Sequence, residues 1–313
     1  MKTSKSMTIK QPVYLIDASI YIFRAYFALP DSISNEEGRS INAVYGFALF
    51  LAEFIQKTQC TYVLAAFDES LESCFRNTIY PPYKANRAMP DDELAFQLKA
   101  CQQVCRAMGI KTHKSKRYEA DDIIGSAAKK FRNKRHSMVY VSRDKDLAQL
   151  IQKEDVFWDY QADKKTSWED FKHDKGFGSD VWADYLALTG DTIDNIPGVP
   201  GVGQKTATVL MQHFNGLETL YDNLNKVPDL PLRGAKRIHQ QLEQHQEHVF
   251  LMRELTRIHA DMPLGFGMKD IKRARWDDQK FSRCCSRIKM GNRLKKAVLN
   301  KFQINQISNN TGQ

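Results

Sequence analysis

Short apolar runs alternate with amphipathic segments along the first half of the chain. The apolar runs, which are typical of strands buried on both faces of a sheet, are residues 13–16, 62–67 and 138–141. Apolar positions recur at helical spacing over residues 43–57, 91–108 and 120–131. Strands that alternate with helices predict an α/β domain with a mostly parallel sheet.

The pattern changes near residue 180. Residues 181–250 have the spacing of helices, interrupted by the Gly/Pro-rich turn IPGVPGVG at 196–203. This change predicts a boundary between two folded units. We therefore predict a first domain over 1–180, a helical subdomain over 181–265 and a basic C-terminal segment over 266–313.

Composition and the N-terminal sequence indicate in which cellular compartment the protein is expected. The 313 residues are 42% hydrophobic and 27% charged, as in an ordinary folded chain. There is no apolar run long enough to cross a membrane, and residues 1–11 lack the apolar core of a signal peptide. The six cysteines form no CxxC pair, which predicts plain thiols. A cytoplasmic protein without membrane contact is expected.

The positive charge of the chain is concentrated near its end. The net charge is +9. Between residues 272 and 296, two acids face ten basic residues, namely Lys272, Arg273, Arg275, Lys280, Arg283, Arg287, Lys289, Arg293, Lys295 and Lys296. Such a stretch suits a polyanion. It could bind DNA, dock a protein partner or pack as a helix through Trp276, Phe281, Ile288 and Leu294 with its charges merely solvated.

Acidic residues follow each predicted strand of the first domain. Asp17 ends the first run, Asp68 ends the second, and Asp144 and Asp146 follow the third. A single Asp after a strand is usually a turn or cap residue. Because the carboxyl ends of parallel strands meet at one edge of a sheet, we expect these acids to lie together.

Two further acid groups bring the total to nine. Glu119, Asp121 and Asp122 open a predicted helix, where the helix dipole alone could favour them, and Asp191 and Asp194 precede the Gly/Pro turn. So many carboxylates repel one another unless cations are present. Magnesium prefers oxygen ligands, and two such ions can activate water and stabilise the leaving oxygen in phosphoryl displacement.

At these residues the chain resembles the 5′-nuclease family of 5′-3′ exonucleases and flap endonucleases, in particular the N-terminal domain of bacterial DNA polymerase I. The matching stretches are LIDAS (15–19), FRAY (23–26), AFD (66–68), YKANR (83–87), YEADDIIG (118–125), SRDKD (142–146), LTGDTIDN (188–195) and residues 196–206. The resemblance implies a PIN-like α/β domain with a helical arch. It also implies a helical DNA-binding subdomain that contains a helix–hairpin–helix variant.

The resemblance also implies two metal sites. One Mg²⁺, for which Mn²⁺ can substitute, would be held by acids like Asp17, Asp68, Glu119 and Asp121. The second would be held by acids like Asp121, Asp144, Asp146, Asp191 and Asp194. Asp122 is expected to act partly through water.

Basic and aromatic residues in the matching stretches have implied roles at the reacting phosphate. Arg24, Lys84 and Arg87 are expected to contact the scissile phosphate or the 5′ strand, where a cation stabilises developing charge. Tyr83 could stack on a base. The alternatives are ordinary packing for Tyr83 and a solvated helix face for Lys84 and Arg87.

The Gly/Pro turn resembles the family's DNA-binding helix–hairpin element. Glycines allow the backbone to approach phosphates, and a helix N-terminus offers N–H donors. The DNA-binding residues expected on this basis are Gly198, Gly201, Gly203, Lys205, Thr206, Arg233 and Lys236. In relatives, carbonyls of this turn can also bind K⁺.

Together these features predict a free-standing 5′-3′ exonuclease or flap endonuclease that hydrolyses DNA by a two-metal mechanism in replication or repair. The expected partners are DNA with 5′ ends, flaps or branches, and RNA primers. One alternative is a DNA-binding protein of the same fold with little catalysis, but all nine acids are present. Another is a PIN-type ribonuclease, against which the arch motif and the helix–hairpin element argue.

Overall fold

The structure is a computed structural model that describes residues 10–69, 73–87 and 89–308. Residues 1–9, on which the prediction of no signal peptide depends, lie outside the described residues. The strands are β1 Gln11–Asp17, β2 Tyr62–Asp68, β3 Lys111–Ser115, β4 His136–Val141, β5 Val156–Asp159, β6 Lys164–Ser167, β7 Gly190–Asp191 and β8 Ile196–Pro197.

Helices make up most of the remaining described chain. They are α1 Ala18–Ala28, α2 Asn42–Thr58, α3 Phe75–Ile79, α4 Asp92–Ala107, α5 Ala120–Phe131, α6 Trp168–Lys175, α7 Trp182–Thr189, α8 Gln204–Phe214, α9 Leu217–Asp222, α10 Ala235–Gln244, α11 Gln246–Thr256, α12 Asp278–Arg287 and α13 Asn292–Ser308. Within the described residues, no helix is both long and apolar enough to cross a membrane.

A six-stranded sheet forms the centre of the first domain. Its strand order is β3-β2-β1-β4-β5-β6, and every neighbouring pair is parallel except β5 with β6. Val13 of β1 lies opposite Tyr62 of β2 on one side and Met138 of β4 on the other. The predicted α/β fold with a mostly parallel sheet is therefore confirmed.

Both faces of the sheet are buried, which explains why its central strands are apolar throughout. Along β1, Leu15 belongs to one hydrophobic cluster and Ile16 to the other. Val63 and Leu64 divide in the same way along β2. Alternate side chains therefore enter different cores, as expected for a parallel sheet covered on two sides.

The helical part after residue 180 packs on the first of these clusters. Helix α11 lies against α7. Helices α7 and α8 flank a segment that contains the antiparallel pair β7–β8 and the Gly/Pro turn, which begins with β8. Ile123 of α5 and Leu210 of α8 are fully buried in the same cluster. A continuous core thus connects the helical part to the sheet.

The basic C-terminal segment is packed against the sheet and its helices. The Val63 N–H donates a 2.9 Å hydrogen bond to the Ile271 carbonyl, and α12 and α13 lie against α4 and α2. Phe281 and Val298 are fully buried there. Of the ten basic residues between 272 and 296, eight are exposed and two are half-buried. The packed-helix alternative therefore describes this segment, with its charges facing outward.

Candidate active site

The predicted acids meet at the carboxyl edge of the sheet. A cavity of about 280 Å³ lies there, and eight of the nine acids line it: Asp17, Asp68, Glu119, Asp121, Asp144, Asp146, Asp191 and Asp194. Asp17 and Asp68 are the last residues of β1 and β2. The remaining six come from the loop after β4, the start of α5 and the β7–β8 turn.

Two helices begin at the cavity. Asp17 is the N-cap of α1, and Glu119 is the N-cap of α5. The positive ends of both helix dipoles therefore point towards the acids and favour negative charge there. Strand end and helix start coincide at Asp17, so the backbone itself fixes the position of this carboxylate.

Hydroxyl and backbone donors hold two of the carboxylates in place. The Ser19 hydroxyl donates to Asp68 Oδ2 at 2.8 Å, and the Ala120 N–H donates to Asp68 Oδ1 at 2.8 Å. The Ser142 hydroxyl donates to Asp17 Oδ2 at 3.0 Å. Neither serine was among the predicted site residues. Both serines lie in stretches that carry the family resemblance, and their place in these stretches could have identified them as site residues.

Burial and mutual repulsion disfavour the charged form of these acids. Burial, followed by the charges of Asp68 and Asp144, raises the pKa of Asp17 to about 7. Burial, followed by the charge of Asp144, raises the pKa of Asp146 to about 8. The pKa of Asp121 is also raised, by burial first and then by Asp144. A bound cation would relieve this repulsion and favour the ionised carboxylates.

The donor set has the chemistry of a site for hard divalent cations. All eight acids that line the cavity offer carboxylate oxygens, which magnesium prefers over nitrogen or sulfur. Over the part of the chain that is described, no three acidic, histidine or cysteine side chains are arranged to hold a metal ion. The residues thus fit a metal by their chemistry and shared cavity, while the ligand set is not preassembled.

Lys84 and Arg87 lie among the acids. Lys84 Nζ is 2.5 Å from Glu119 Oε1 and 3.5 Å from Asp194 Oδ2, and Arg87 forms an ion pair with Asp194. The Lys84 side chain is only 13% exposed, so a solvated helix face does not describe it. Burial opposes its charge, but Glu119 holds the pKa of Lys84 well above its usual value.

Two other predicted residues are placed differently. Tyr83 is 3% exposed and donates a 2.9 Å hydrogen bond from its hydroxyl to Glu119 Oε2. It also lines the cavity, but its low exposure fits the packing alternative better than a ring open for stacking on a base, and the stacking role stays a prediction. Arg24 is exposed and does not line the cavity. The neighbouring Phe23 does, because successive side chains on α1 point about 100° apart.

A buried arginine that the sequence did not single out connects several elements at the site. Arg76 binds both oxygens of Asp122, at 2.7 and 2.8 Å, and Glu119 Oε2 at 3.1 Å. It also donates to the carbonyls of Leu255 and Arg257, both at 2.8 Å. Asp122 is fully buried and faces away from the cavity. Because both of its oxygens bind Arg76, this geometry does not favour direct contact with a metal in the cavity, and its role through water stays a prediction.

The predicted DNA-binding residues lie outside the cavity, in the helical part. Gly203 is the N-cap of α8, and Gly201 has a φ of +81°. A Cβ on Gly198 would come within 2.4 Å of the Thr189 backbone. Four residues are exposed or half-exposed near the starts of α8 and α10, namely Lys205, Thr206, Arg233 and Lys236. The structure thus gathers them around two helix starts.

Sequence comparison identifies the family. Residues 12–176 match the model of the 5′-3′ exonuclease N-terminal resolvase-like domain, and residues 178–279 match the model of the 5′-3′ exonuclease C-terminal SAM fold. The chain therefore belongs to the 5′-3′ exonuclease family, as the residues predicted.

Relatives and solved structures agree with this assignment. A 5′-3′ exonuclease of Buchnera aphidicola is 34% identical over 84% of this chain and 92% of its own length. DNA polymerase I of Pseudomonas aeruginosa is 36% identical over 81% of this chain and 28% of its own. The phage T5 D15 flap endonuclease, in a complex with DNA and metal ions, has a TM-score of 0.62, with 18% identity over 94% of this chain and all of that one.

Proposed function

We propose that this protein is a magnesium-dependent 5′-3′ exonuclease and flap endonuclease that hydrolyses phosphodiester bonds of DNA in replication or repair. One observation carries the proposal: eight carboxylates, Lys84 and Arg87 converge on one cavity at the carboxyl edge of a parallel sheet. Membership of the 5′-3′ exonuclease family supports it. So do the metal ions and DNA in the complex of the T5 flap endonuclease.

The metal ligands would come from the acids that line the cavity, with Asp122 left out. Two Mg²⁺ ions, or Mn²⁺ in their place, would when bound activate water and stabilise charge on the phosphoryl oxygens. Burial and the neighbouring carboxylates raise the pKa values of Asp17 and Asp146. A bound cation would offset this repulsion and favour the ionised carboxylates, so the raised pKa values support metal binding here.

The protein's own cations act beside the acids. Lys84 is held between Glu119 and Asp194, and Arg87 pairs with Asp194 at the cavity mouth. A phosphate that enters the cavity meets both positive groups, which stabilise the charge that builds on its oxygens. Arg76 and Tyr83, which also line the cavity, hold Glu119 in position through hydrogen bonds.

Substrate binding outside the cavity is proposed at the helical part. The turn with Gly198, Gly201 and Gly203 and the exposed Lys205 would hold the duplex backbone through N–H donors and charge. The same proposal includes K⁺ at the turn carbonyls, RNA primers as substrates, and domain boundaries at residues 180 and 265. A cytoplasmic location is another, and it fits the six free, buried cysteines of the described chain.

The proposal is tested by cleavage of labelled flap, nicked, gapped and single-stranded DNA, with magnesium or with EDTA. We expect cleavage near the branch or the 5′ end, and none in EDTA. The variant Asp121→Asn should lose on the order of a hundredfold or more in rate, because even the loss of an outer-shell partner of a metal ligand typically costs about 10–100-fold. It should still bind DNA, because neutralising one carboxylate lowers repulsion towards phosphate.

Each alternative gives a different result in the same assay. Tight DNA binding without cleavage under any metal condition would indicate a binding protein. Faster cleavage of matched RNA than of DNA would indicate a ribonuclease. Full activity in excess EDTA would refute the metal mechanism itself.

A further inference from the structure

A group of basic side chains lies at the edge of the sheet opposite the cavity, and the proposed function does not use it. We call this group the far edge: Lys111, Lys134, Arg135, Lys269 and Lys272. Lys111 is the first residue of β3. The Gln11 N–H, at the start of β1, donates a 2.8 Å hydrogen bond to the Arg135 carbonyl. Lys272 pairs with Tyr62, the first residue of β2.

Contacts between these elements bring the far-edge residues together. The rings of Tyr62 and His136 are 5.4 Å apart, edge to face. This contact brings Lys272, the backbone partner of Tyr62, and Arg135, the neighbour of His136, to the same part of the sheet. The Lys272 N–H donates to the Lys269 carbonyl. An open groove of about 610 Å³ is lined by Lys130, Phe131, Asn133, Lys134, Arg135, His136 and Met268.

The charges of the far edge are largely uncompensated. In the described ranges, Lys134, Arg135, Lys269 and Lys272 are exposed and form no ion pair with an acid. Two nearby acids are already paired, Glu154 with Lys10 and Asp155 with Arg132. Asp270 accepts a hydrogen bond from the Gly267 N–H and keeps its charge, so of these acids one carboxylate opposes the four exposed cations. The groups therefore remain free for an external anion.

We propose that the far edge binds the phosphate backbone of duplex DNA as a second site, separate from the cavity. The cations lie at the starts of β3 and β4 and beside the start of β2. With β1 between β2 and β4, these strands make a row of at least about 14 Å across the sheet at the usual strand spacing. A duplex carries one phosphate charge per roughly 1.7 Å of its axis, so it offers charge along the whole row. An acidic peptide fits less well, because exposed side-chain tips along an open groove provide no pockets for its side chains.

Geometry determines what this second site does. The seven residues of β1 separate the two edges, a distance of about 20 Å along an extended strand. DNA in the cavity and DNA on the far edge therefore contact opposite ends of the sheet. One protein molecule consequently holds two DNA segments at once, whether or not cleavage occurs.

The test measures whether one protein molecule retains a second duplex, in EDTA so that cleavage plays no part. Protein is bound to an immobilised blunt duplex, and a labelled duplex of another sequence is added. The variant reverses three far-edge charges: Lys134→Glu, Arg135→Glu and Lys272→Glu. The matched control reverses three exposed charges on α12 and α13: Arg283→Glu, Arg287→Glu and Lys296→Glu. Circular dichroism confirms that both variants are folded.

We expect the wild type and the control to retain the labelled duplex, and the far-edge variant to retain at least tenfold less while still binding the immobilised one. The slope of log affinity against log salt for the second duplex should fall by roughly 0.9 for each phosphate that the variant no longer neutralises. Equal retention by the far-edge variant would overturn the proposal. Reduced retention of the labelled duplex by the control variant would also overturn it. The proposal would fail as well if retention of the second duplex needed two protein molecules, or if polyglutamate displaced this duplex at a lower charge concentration than duplex DNA does. Failure of the nuclease proposal would show only in the magnesium assay.

Discussion

At the scale of single residues, Asp121 and Asp122 show how neighbours in sequence can differ in role. Asp121 lines the cavity, whereas Asp122 is fully buried against Arg76. Side chains at consecutive helix positions point about 100° apart, so one carboxylate faces the cavity and the other the protein interior. The two adjacent acids look equivalent in the sequence, but Asp121 is a candidate metal ligand and Asp122 is the ion-pair partner of Arg76.

Removal of Arg76 should destabilise the whole protein. Arg76 is 2% exposed, and its guanidinium neutralises the fully buried Asp122. Arg76→Ala leaves that carboxylate buried and unpaired, which costs about 3–5 kcal/mol. Urea denaturation measures the loss of stability. The control Arg287→Ala removes an exposed arginine and should stay within about 0.5 kcal/mol of the wild type. A loss for Arg76→Ala no larger than that of the control would contradict the role.

Lys84 should matter more for turnover than Arg87 does. The Lys84 side chain is 13% exposed and pairs with two acids, whereas Arg87 is 40% exposed and pairs with one. A charge in the drier position stabilises the transition state more strongly, so Lys84→Ala should reduce the single-turnover rate by about 10²–10³-fold. Arg87→Ala should reduce it less.

The control for this comparison is Arg24→Ala. Arg24 is exposed and does not line the cavity, so its removal should leave the rate at saturating enzyme unchanged. A large decrease in that variant would support the role predicted from the sequence. An unchanged rate but weaker binding in Lys84→Ala would assign Lys84 to substrate binding instead.

At the scale of elements, the sequence predicted the strands and helices whose apolar positions follow from burial alone. The strands β1, β2 and β4 were identified because both faces are covered, and α2, α4 and α5 because one face is. The strand β3 was not, because it pairs only with β2 and its sequence KTHKS is polar. The acids at strand ends were predictable from the topology. Arg76 was not, because its partners come from segments distant in sequence.

The Gly/Pro turn allows a matched test of two glycines. A Cβ on Gly198 would lie 2.4 Å from the Thr189 backbone, whereas a Cβ on Gly203 meets nothing within 4 Å. Gly198→Ala should therefore shift the turn, at about 1–3 kcal/mol of stability, and weaken DNA binding. Gly203→Ala should cost less than about 1 kcal/mol. Thermal melting and fluorescence anisotropy with duplex DNA measure both effects, and equal losses in the two variants would contradict this account.

At the scale of the whole molecule, charge and packing coincide in the C-terminal segment. Its apolar side chains enter the same core as α2 and α4, while its basic ones remain on the surface. Counting charges along the sequence identifies the basic surface of this segment, but it does not show whether its helices are needed for folding. The packing of α13 on α2 and of α12 on α4 indicates that they are needed.

Deletion of residues 277–313 should therefore prevent stable folding, rather than merely weaken DNA binding. The deletion removes five large buried side chains, namely Phe281, Ile288, Met290, Leu294 and Val298. Each contributes roughly 1.5–3 kcal/mol, and their sum is comparable with the about 5–15 kcal/mol that stabilises a typical domain. The matched variant Arg283→Gln, Arg287→Gln, Lys296→Gln keeps this core and should melt within a few degrees of the wild type. Circular dichroism on both proteins decides the matter, and a truncated chain that melts as the wild type does would show that the segment is dispensable for folding.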